Sequence, residues 1–393
     1  MTDRNAHRPG YKKTNVGWIP EEWQCLRLRD LVQLQRGFDL PHSKRRKGVV
    51  PIIASNGIVG FHSTHRAKAL GVVTGRSGSI GNVAFIETDF WPLNTTLFVT
   101  DFKGNDPLFS YYFLIQFKLE RFANGTGVPT LNRNDIHPKQ IPIPPFPEQK
   151  KIAEILSTWD EAIEQTRKLI EAKKRCKKAL MQQLLTGKKR LLGKNHQRSG
   201  IESESMDWGW PKTKDLFKRH SKKPAFNEAV LSVTQDNGVV LRESLDRRID
   251  FKQTNTGSYK LVSPGDFIIS LRSFQGGIEY SSVQGVVSPA YHVIRASKNI
   301  EPLFYKYYFK SKDFIKHLAV AIIGIRDGKQ VSYEEFSAMP IPHPPIQEQR
   351  AIADVLSFAD SEIKALDEKL SALKKQKRGL MQKLLTGEVR VRV

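Results

Sequence analysis

Ile143-Pro144-Pro145-Phe146-Pro147-Glu148-Gln149 opens a long helical pattern that closes on Leu184-Leu185-Thr186-Gly187, and the chain writes this unit twice. Glu148-Gln149 returns as Glu348-Gln349, Met181-Gln182 as Met381-Gln382, and Leu184-Leu185-Thr186-Gly187 as Leu384-Leu385-Thr386-Gly387. With no gap, roughly 18 of 40 positions are identical, a self-match that sets the architecture before any single element does. It implies two similar halves related by a pseudo-two-fold axis. A pseudo-two-fold protein suits a pseudo-two-fold partner, of which duplex DNA is the commonest.

Each copy begins with a proline-rich run, Ile141 to Pro147 and Pro340 to Pro345, which reads as extended chain rather than helix or central strand. Apolar residues then recur at spacings of three and four. In the first copy they are Ile152, Leu156, Trp159, Ile163, Ile170, Leu180 and Leu184. In the second they include Ile352, Leu356, Ala359, Ile363, Leu370 and Leu384. This is a heptad seam. Gly187 and Gly387 stand where helices end. From Glu148 to Leu185 such a helix runs about 57 Å. So narrow a seam on so long a helix needs a partner, and its twin is the internal one, antiparallel if a two-fold relates the halves. The alternative buries each helix in the core of its own domain. Lys177 and Lys377 interrupt the seam at the same place, where a polar residue fixes register or marks a splaying point.

A block of short apolar runs broken by Gly, Ser, Asn and Pro precedes each helix, and reads as a twisted sheet with loops and a few helices. Ile52-Ile53-Ala54, Ser55-Asn56-Gly57 and Ile58-Val59 spell a hairpin. Gly71 to Thr74 and Asn82 to Phe85 read as strands around a glycine-rich turn, with Asp266 to Ser270 and Gly285 to Val287 playing similar parts in the second block. Pro107-Leu108-Phe109 with Tyr111-Tyr112 echoes Pro302-Leu303-Phe304 with Tyr307-Tyr308; at helical spacing these tyrosines belong to a core. Apolar residues persist between the blocks while loops differ, which suggests one scaffold carrying two reading surfaces.

The net charge of +23 and the pI near 9.9 point to a polyanionic partner. The excess is clustered: Glu161 to Arg190 holds ten basic and three acidic residues. No stretch approaches the length of a spanning helix, the N-terminus lacks an apolar signal core, and Cys25 and Cys176 are too far apart in sequence to suggest a zinc cluster or disulfide framework. The chain reads as cytoplasmic.

With these residues in hand, the chain resembles the DNA specificity subunit of a type I restriction-modification enzyme. The resemblance is carried by Ile143-Pro144-Pro145, Glu148-Gln149, Ile152-Ala153, Leu184 to Gly187 and the second copies of these. Ser55 to Gly60, Gly78 to Val83 and Val128-Pro129-Thr130-Leu131-Asn132 add to it. The second block departs in its late loop, Gly324 to Val331, which lacks the Leu-Asn pair, and in its compressed start, Trp208-Gly209-Trp210-Pro211. The resemblance implies an α+β protein with two pseudo-symmetric target recognition domains, separated by two long helices forming an antiparallel coiled coil. Its divisions are an N-terminal tail (1–17), recognition domain 1 (18–140), a repeated region (141–187), a linker (188–205), recognition domain 2 (206–339), a second repeated region (340–387) and a tail (388–393). It further implies double-stranded DNA as ligand, two modification subunits that methylate adenine with S-adenosylmethionine, and two restriction subunits. ATP and Mg belong to those partners, and this chain holds no cofactor, metal or catalytic residue of its own. For partner docking and the coiled coil it points to Glu148, Gln149, Ile152, Leu156, Ile163 and Leu184, and to Glu348, Gln349, Ile352, Leu356, Ile363 and Leu384.

Arg and Lys suit guanine, Asn and Gln suit adenine, and phosphates take cations and small hydroxyls. Loops on a rigid sheet are the natural carriers. The candidates in the first block are Arg76, Ser77, Ser79, Thr126, Asn132 and Arg133, with Lys44, Arg45, Arg46 and Lys47 as a phosphate clamp. In the second they are Arg272, Ser273, Gln275, Arg326, Lys329 and Gln330. The basic helix faces around Lys173 to Lys178 and Lys374 to Arg378 suit either the DNA backbone or acidic partner surfaces.

Catalytic signatures are wanting. No Gly-Lys-Ser/Thr phosphate loop occurs. Ser288-Pro289-Ala290-Tyr291 lacks the amide or carboxylate of an amino-methyltransferase tetrapeptide, and Gly75 to Gly81 does not lead into a helix. Two rivals stand beside a specificity subunit: a nuclease with an unrecognised site and a stand-alone DNA-binding regulator. If the helices are a spacer, inserting four residues into both copies lengthens it by about 6 Å, nearly two base pairs at about 3.4 Å each. Mapping of methylated sites should then show a wider gap between unchanged half-sites; altered half-sites with an unchanged gap would refute the spacer.

Overall fold

The computed structural model describes residues 5–125, 129–191, 207–224, 228–235, 238–245, 256–319, 322–323 and 330–392. Heptad spacing produces two helices of 39 residues, Phe146–Leu184 and Ile346–Leu384. The first opens two residues earlier than expected, because Pro147 falls in the first turn, where an N–H would have no helical partner. Both helices give way to a glycine in the left-handed region, Gly187 at φ 71° and Gly387 at φ 72°.

The chain divides into two compact units, Met1–Lys168 with Glu368–Val393, and Leu169–Asp367. Each unit therefore takes the start of one long helix and the end of the other. The first unit is built on an antiparallel sheet whose spatial order is Gln33–Arg36, Thr96–Asp101, Gly71–Gly75, Val83–Ile86. The second has Phe217–His220, His292–Ala296, Phe267–Ile269, Glu279–Tyr280. Numbered within each sheet along the chain, both run first, fourth, second, third. After each sheet comes a helix, Pro107–Phe117 or Pro302–Tyr308, with proline in its first turn. Asp106 caps the first helix by accepting from the Phe109 N–H, and Glu301 the second by accepting from the Leu303 N–H. Tyr112, Tyr307 and Tyr308 are buried, as the helical spacing predicts.

Both expectations for the long helices are met, in different parts of them. Ile152, Ala153 and Leu156 lie in the first unit's core beside Trp23, Phe109 and Leu114, together with Met381, Leu384 and Leu385 from the end of the second helix. Ile352, Ala353 and Leu356 lie in the second unit's core with Phe309, Ile341, Leu184 and Leu185. Beyond these opening turns the helices pair antiparallel. In the second unit Lys173 Nζ sits 2.8 Å from Glu362 Oε1 and Lys177 Nζ 2.5 Å from Asp360 Oδ1, so numbers rise along one helix as they fall along the other. In the first unit Lys377 Nζ sits 2.5 Å from Asp160 Oδ1.

Those two seam lysines are register devices. Lys177 lies over the Tyr307 ring and Lys377 over the Tyr112 ring. Each tyrosine donates its hydroxyl to the same aspartate, Tyr307 to Asp360 at 2.8 Å and Tyr112 to Asp160 at 2.7 Å. A shift of one helical turn would leave a half-buried ammonium and an aspartate without these partners.

The terminal glycines differ in their surroundings. A Cβ on Gly187 would sit 3.5 Å from the Trp208 ring, an ordinary contact, whereas one on Gly387 would sit 2.6 Å from Pro20 Cδ. Gly187→Ala should cost about 1 kcal/mol of left-handed strain, and Gly387→Ala roughly 2–3 kcal/mol once overpacking is added. Denaturant midpoints of the two variants test this, and a greater loss in Gly187→Ala would contradict it.

Candidate nucleic-acid interface

In the first unit, the turn after Gly71–Gly75 is tight enough to require glycine: a Cβ on Gly75 would meet the Ser79 carbonyl oxygen at 2.0 Å. The Arg76 and Ser77 N–H groups both donate to the Thr95 carbonyl (2.8 and 3.2 Å), and the Leu131 N–H donates to the Arg76 carbonyl at 2.8 Å. The turn is thereby pinned to the short strand Thr130–Leu131, which delivers Asn132 and Arg133 beside Arg76. Asn132 Oδ1 accepts the Asn134 N–H at 3.0 Å and caps the helix Arg133–Ile136. Arg133 donates to the Leu34 carbonyl at 3.3 Å. His137 Nε2 accepts the Leu34 N–H at 3.0 Å, and burial, then Arg133 and Arg29, hold its pKa below the ordinary histidine value.

The product is an open cavity of about 710 Å³ whose wall includes Arg36, Arg76, Asn124, Asn132, Arg133 and Asp135. Three guanidinium groups and three carboxamides, Gln35 among them, around one hollow form a donor-rich surface, suited to phosphate oxygens and to the acceptor edges of guanine and adenine. Asp135, which accepts from Asn124 at 3.0 Å, is the carboxylate in that wall.

Three of the six candidate loop residues of the first unit thus converge: Arg76, Asn132 and Arg133. Ser77 bridges to Thr130 in backbone pairing. Ser79 lies in the turn with its carbonyl packed against Gly75. Thr126 lies outside the described residues. Lys44, Arg46 and Lys47 are exposed and Arg45 half-buried, on the turn His42–Lys44 and the chain that follows.

The second unit places Arg272 to Gln275 in the equivalent loop, after Phe267–Ile269. Arg272 and Gln275 are exposed, and Gln275 accepts from Gln235 at 3.4 Å. Ser273 is a correction. It is only 1% exposed, and its hydroxyl accepts the Ser270 N–H at 2.9 Å, so it shapes the loop and cannot touch DNA. Gln330 lies on the strand Gln330–Val331, paired with Ile322–Ile323. Arg326 and Lys329 fall outside the described residues.

The Glu-Gln pairs also need correction, because they face inward rather than toward a docking partner. Glu148 is 2% exposed. It accepts the Trp23 indole N–H at 2.9 Å and a two-point grip from Arg390 at 2.8 and 2.9 Å. Glu348 accepts the Trp208 indole at 3.1 Å and Arg190 at 2.8 and 2.7 Å. Gln149 donates to the Pro144 carbonyl and accepts the Asp106 N–H, and Gln349 does the same with Pro344 and Glu301. The motif is an internal clamp at each helix start.

Trp208 is therefore the counterpart of Trp23, and the exposed Trp210 is not. The clamp arginines escaped the sequence reading although the signal was present: Arg190 and Arg390 each stand three residues past the terminal glycine, just outside the repeat window. Of the other seam candidates, Ile152, Leu156, Ile163, Leu184, Ile352, Leu356 and Leu384 are buried, and Ile363 is half-buried.

Two copies of one sheet, each with a polar loop beside its second strand and a long helix clamped to it, define a duplicated recognition scaffold. A model of the type I restriction modification DNA specificity domain matches residues 20–174 and again 206–375. The chain belongs to this family of type I restriction-modification specificity subunits. The putative type I restriction enzyme MjaX specificity subunit of Methanocaldococcus jannaschii is 25% identical over 97% of both chains. The MjaVIII specificity subunit of the same organism is 25% identical over 95% of this chain and 94% of its own. The crystal structure of a type I S subunit from M. genitalium aligns at a TM-score of 0.59 with 16% identity, covering 98% of this chain and 99% of its own. The HsdS subunit from Thermoanaerobacter tengcongensis aligns at 0.50 with 16% identity, covering 94% of this chain and 98% of its own. Among the described residues no helix is long and apolar enough to cross a membrane.

The clamp makes a sharp prediction. Arg390→Ala leaves a buried carboxylate with only an indole N–H, at a cost on the order of 3 kcal/mol near neutral pH. In a Glu148→Gln background, where no charge is left to balance, the same Arg390→Ala change should cost markedly less. Urea titrations of the two single variants and the double variant check this. An equal loss in both backgrounds would show that the Glu148 charge is not what Arg390 balances.

Proposed function

We propose that the chain reads a split duplex site, one half with each unit, and directs adenine methylation and restriction by partner subunits while performing no chemistry itself. The observation that carries this is the repetition of one sheet order with the same loop bearing different polar side chains. Arg76 stands on the first, joined in the hollow by Asn132 and Arg133 from the segment after Thr130–Leu131, and Arg272 and Gln275 stand on the second. A common scaffold with unlike loops is suited to two unlike half-sites, with phosphate contacts positioning and base contacts specifying.

The recognition domains on this reading are 18–140 and 206–339, and the long helices act as spacer and docking surface. With the Glu-Gln pairs internal, docking falls to outward apolar side chains such as Leu169, Val355 and Phe358, which are 45%, 36% and 65% exposed. Two modification subunits would bind there and use S-adenosylmethionine. Two restriction subunits would supply ATP- and Mg-dependent translocation and cleavage. The assembly would act on DNA in the cytoplasm.

Methylation mapping of genomic DNA decides the matter, comparing cells that express the chain with its modification partner against cells from which the chain is deleted. A split adenine-methylated motif that disappears on deletion is the expected result. Absence of any motif with both proteins well expressed, or cleavage by the isolated chain, would overturn the proposal. Within the motif, Arg76→Ala should relax one half-site and leave the other intact. The matching loss of binding should be about 1–3 kcal/mol, read by anisotropy at fixed salt.

A further inference from the structure

The first unit holds an antiparallel ribbon, Val50–Ala54 and Gly57–His62, turned by Ser55-Asn56. Its inner strand is buried at Pro51, Ile52 and Ile53, as a core-facing strand should be. Its outer strand runs against that pattern. Ile58, Val59 and Phe61 are 62%, 37% and 55% exposed on an edge strand of six residues, and Val49 beside them is 87% exposed. Single exposed apolar residues need no explanation, but Val59 and Phe61 on one face of the strand and Ile58 on the other leave the ribbon edge apolar on both sides, which marks an interaction surface.

Charge says what covers the patch. From Leu40 to Ile86 the chain holds seven Lys and Arg residues and no Asp or Glu. Four of the seven, Lys44 to Lys47, precede the ribbon. The Arg46 N–H is bonded to His62 Nδ1 at 3.0 Å, and the Arg45 guanidinium lies 3.8 Å from where a Gly60 Cβ would sit, so the cations flank the apolar edge. The matching stretch of the second unit, residues 221–280, carries seven Asp and Glu residues among its basic ones.

The ribbon is also continuous with the reading loop. The Ser55 N–H donates to Thr95 Oγ1 at 3.4 Å, and the carbonyl of the same Thr95 holds the Arg76 and Ser77 N–H groups. Cβ atoms on Gly75 and Gly78 would each lie 3.2 Å from the Ser55 side chain. A two-stranded ribbon fits the major groove, where the thymine methyl is the apolar feature of an otherwise polar floor.

We infer that this ribbon enters the major groove of the first unit's half-site and reads thymine methyl groups through Ile58, Val59 and Phe61, with Lys44 to Lys47 on the flanking phosphates. The inference rests on the function proposed above. It adds a second reading element to the first unit and assigns apolar readout to a strand, where the cavity supplies polar readout.

The test uses the complex of this chain with its modification subunit and duplexes carrying its own motif. The first unit's half-site is identified as the half relaxed in Arg76→Ala. Each thymine of that half-site, on either strand, is replaced in turn by uracil, which removes only the methyl. Wild type should lose about three- to fivefold in affinity at one or more positions, the equivalent of one buried methyl. Phe61→Ser and the pair Ile58→Ser with Val59→Ser, substitutions of exposed residues that should leave the thermal midpoint unchanged, should bind the thymine duplex correspondingly less well and be indifferent to uracil.

The inference is overturned if uracil has no effect at any position, or if the variants keep full affinity and full uracil sensitivity. It is equally overturned if the variants shed the modification subunit on gel filtration, which would make the ribbon a protein contact. A wild-type complex that marks no split motif at all would instead refute the underlying function.

Discussion

Everything in this fold depends on a buried carboxylate at the start of each long helix. Glu148 and Glu348 are 2% and 0% exposed, and a carboxylate so placed is tolerable only if paired and hydrogen-bonded. Both find the same partners: an indole N–H from the opening of the unit, and a two-point arginine grip from just past the end of the other long helix. Each unit is thus electrostatically complete only when the far end of the other helix has returned to it. The lysine, aspartate and tyrosine triads set the register along the way. An apolar seam alone tolerates slippage by a turn, whereas these polar contacts do not.

The clamp leaves the loops free to vary. Strand order, helix capping and aromatic core are repeated in the two units because packing and backbone hydrogen bonds constrain them. The loop after Gly71–Gly75 is held through its backbone, by the Thr95 carbonyl and the Leu131 N–H, and the loop after Phe267–Ile269 by the Ser273 hydroxyl. Side chains released from structural work can be matched to a ligand. The two units differ most where constraint is least: the first has an unbroken basic stretch and an exposed apolar ribbon, and the second has mixed charge.

The sequence was most legible where periodicity and punctuation act locally. Heptads, terminal glycines, the Ser55-Asn56 hairpin turn and the helical spacing of the paired tyrosines all became the elements they spell. It was least legible where polar residues choose between inside and outside. Glu148-Gln149 reads as a docking motif because charged and amide groups usually face water, and its burial depends on Arg390, which no local pattern links to it. Ser273 reads as a contact because it stands beside Arg272 in a loop, yet its hydroxyl is spent on the Ser270 N–H.

By itself the sequence determined a duplicated α+β chain, strongly basic, with two long paired helices and the residues of the type I specificity family. Those properties follow from repetition, charge and spacing, which are additive along a chain. Only the tertiary structure decided that the opening turns of each helix belong to a domain core and that the Glu-Gln pairs close each unit from within. It likewise brought Arg76, Asn132 and Arg133 together around one hollow. These outcomes turn on which distant groups satisfy a buried donor or acceptor, a condition that exists only once the chain has folded.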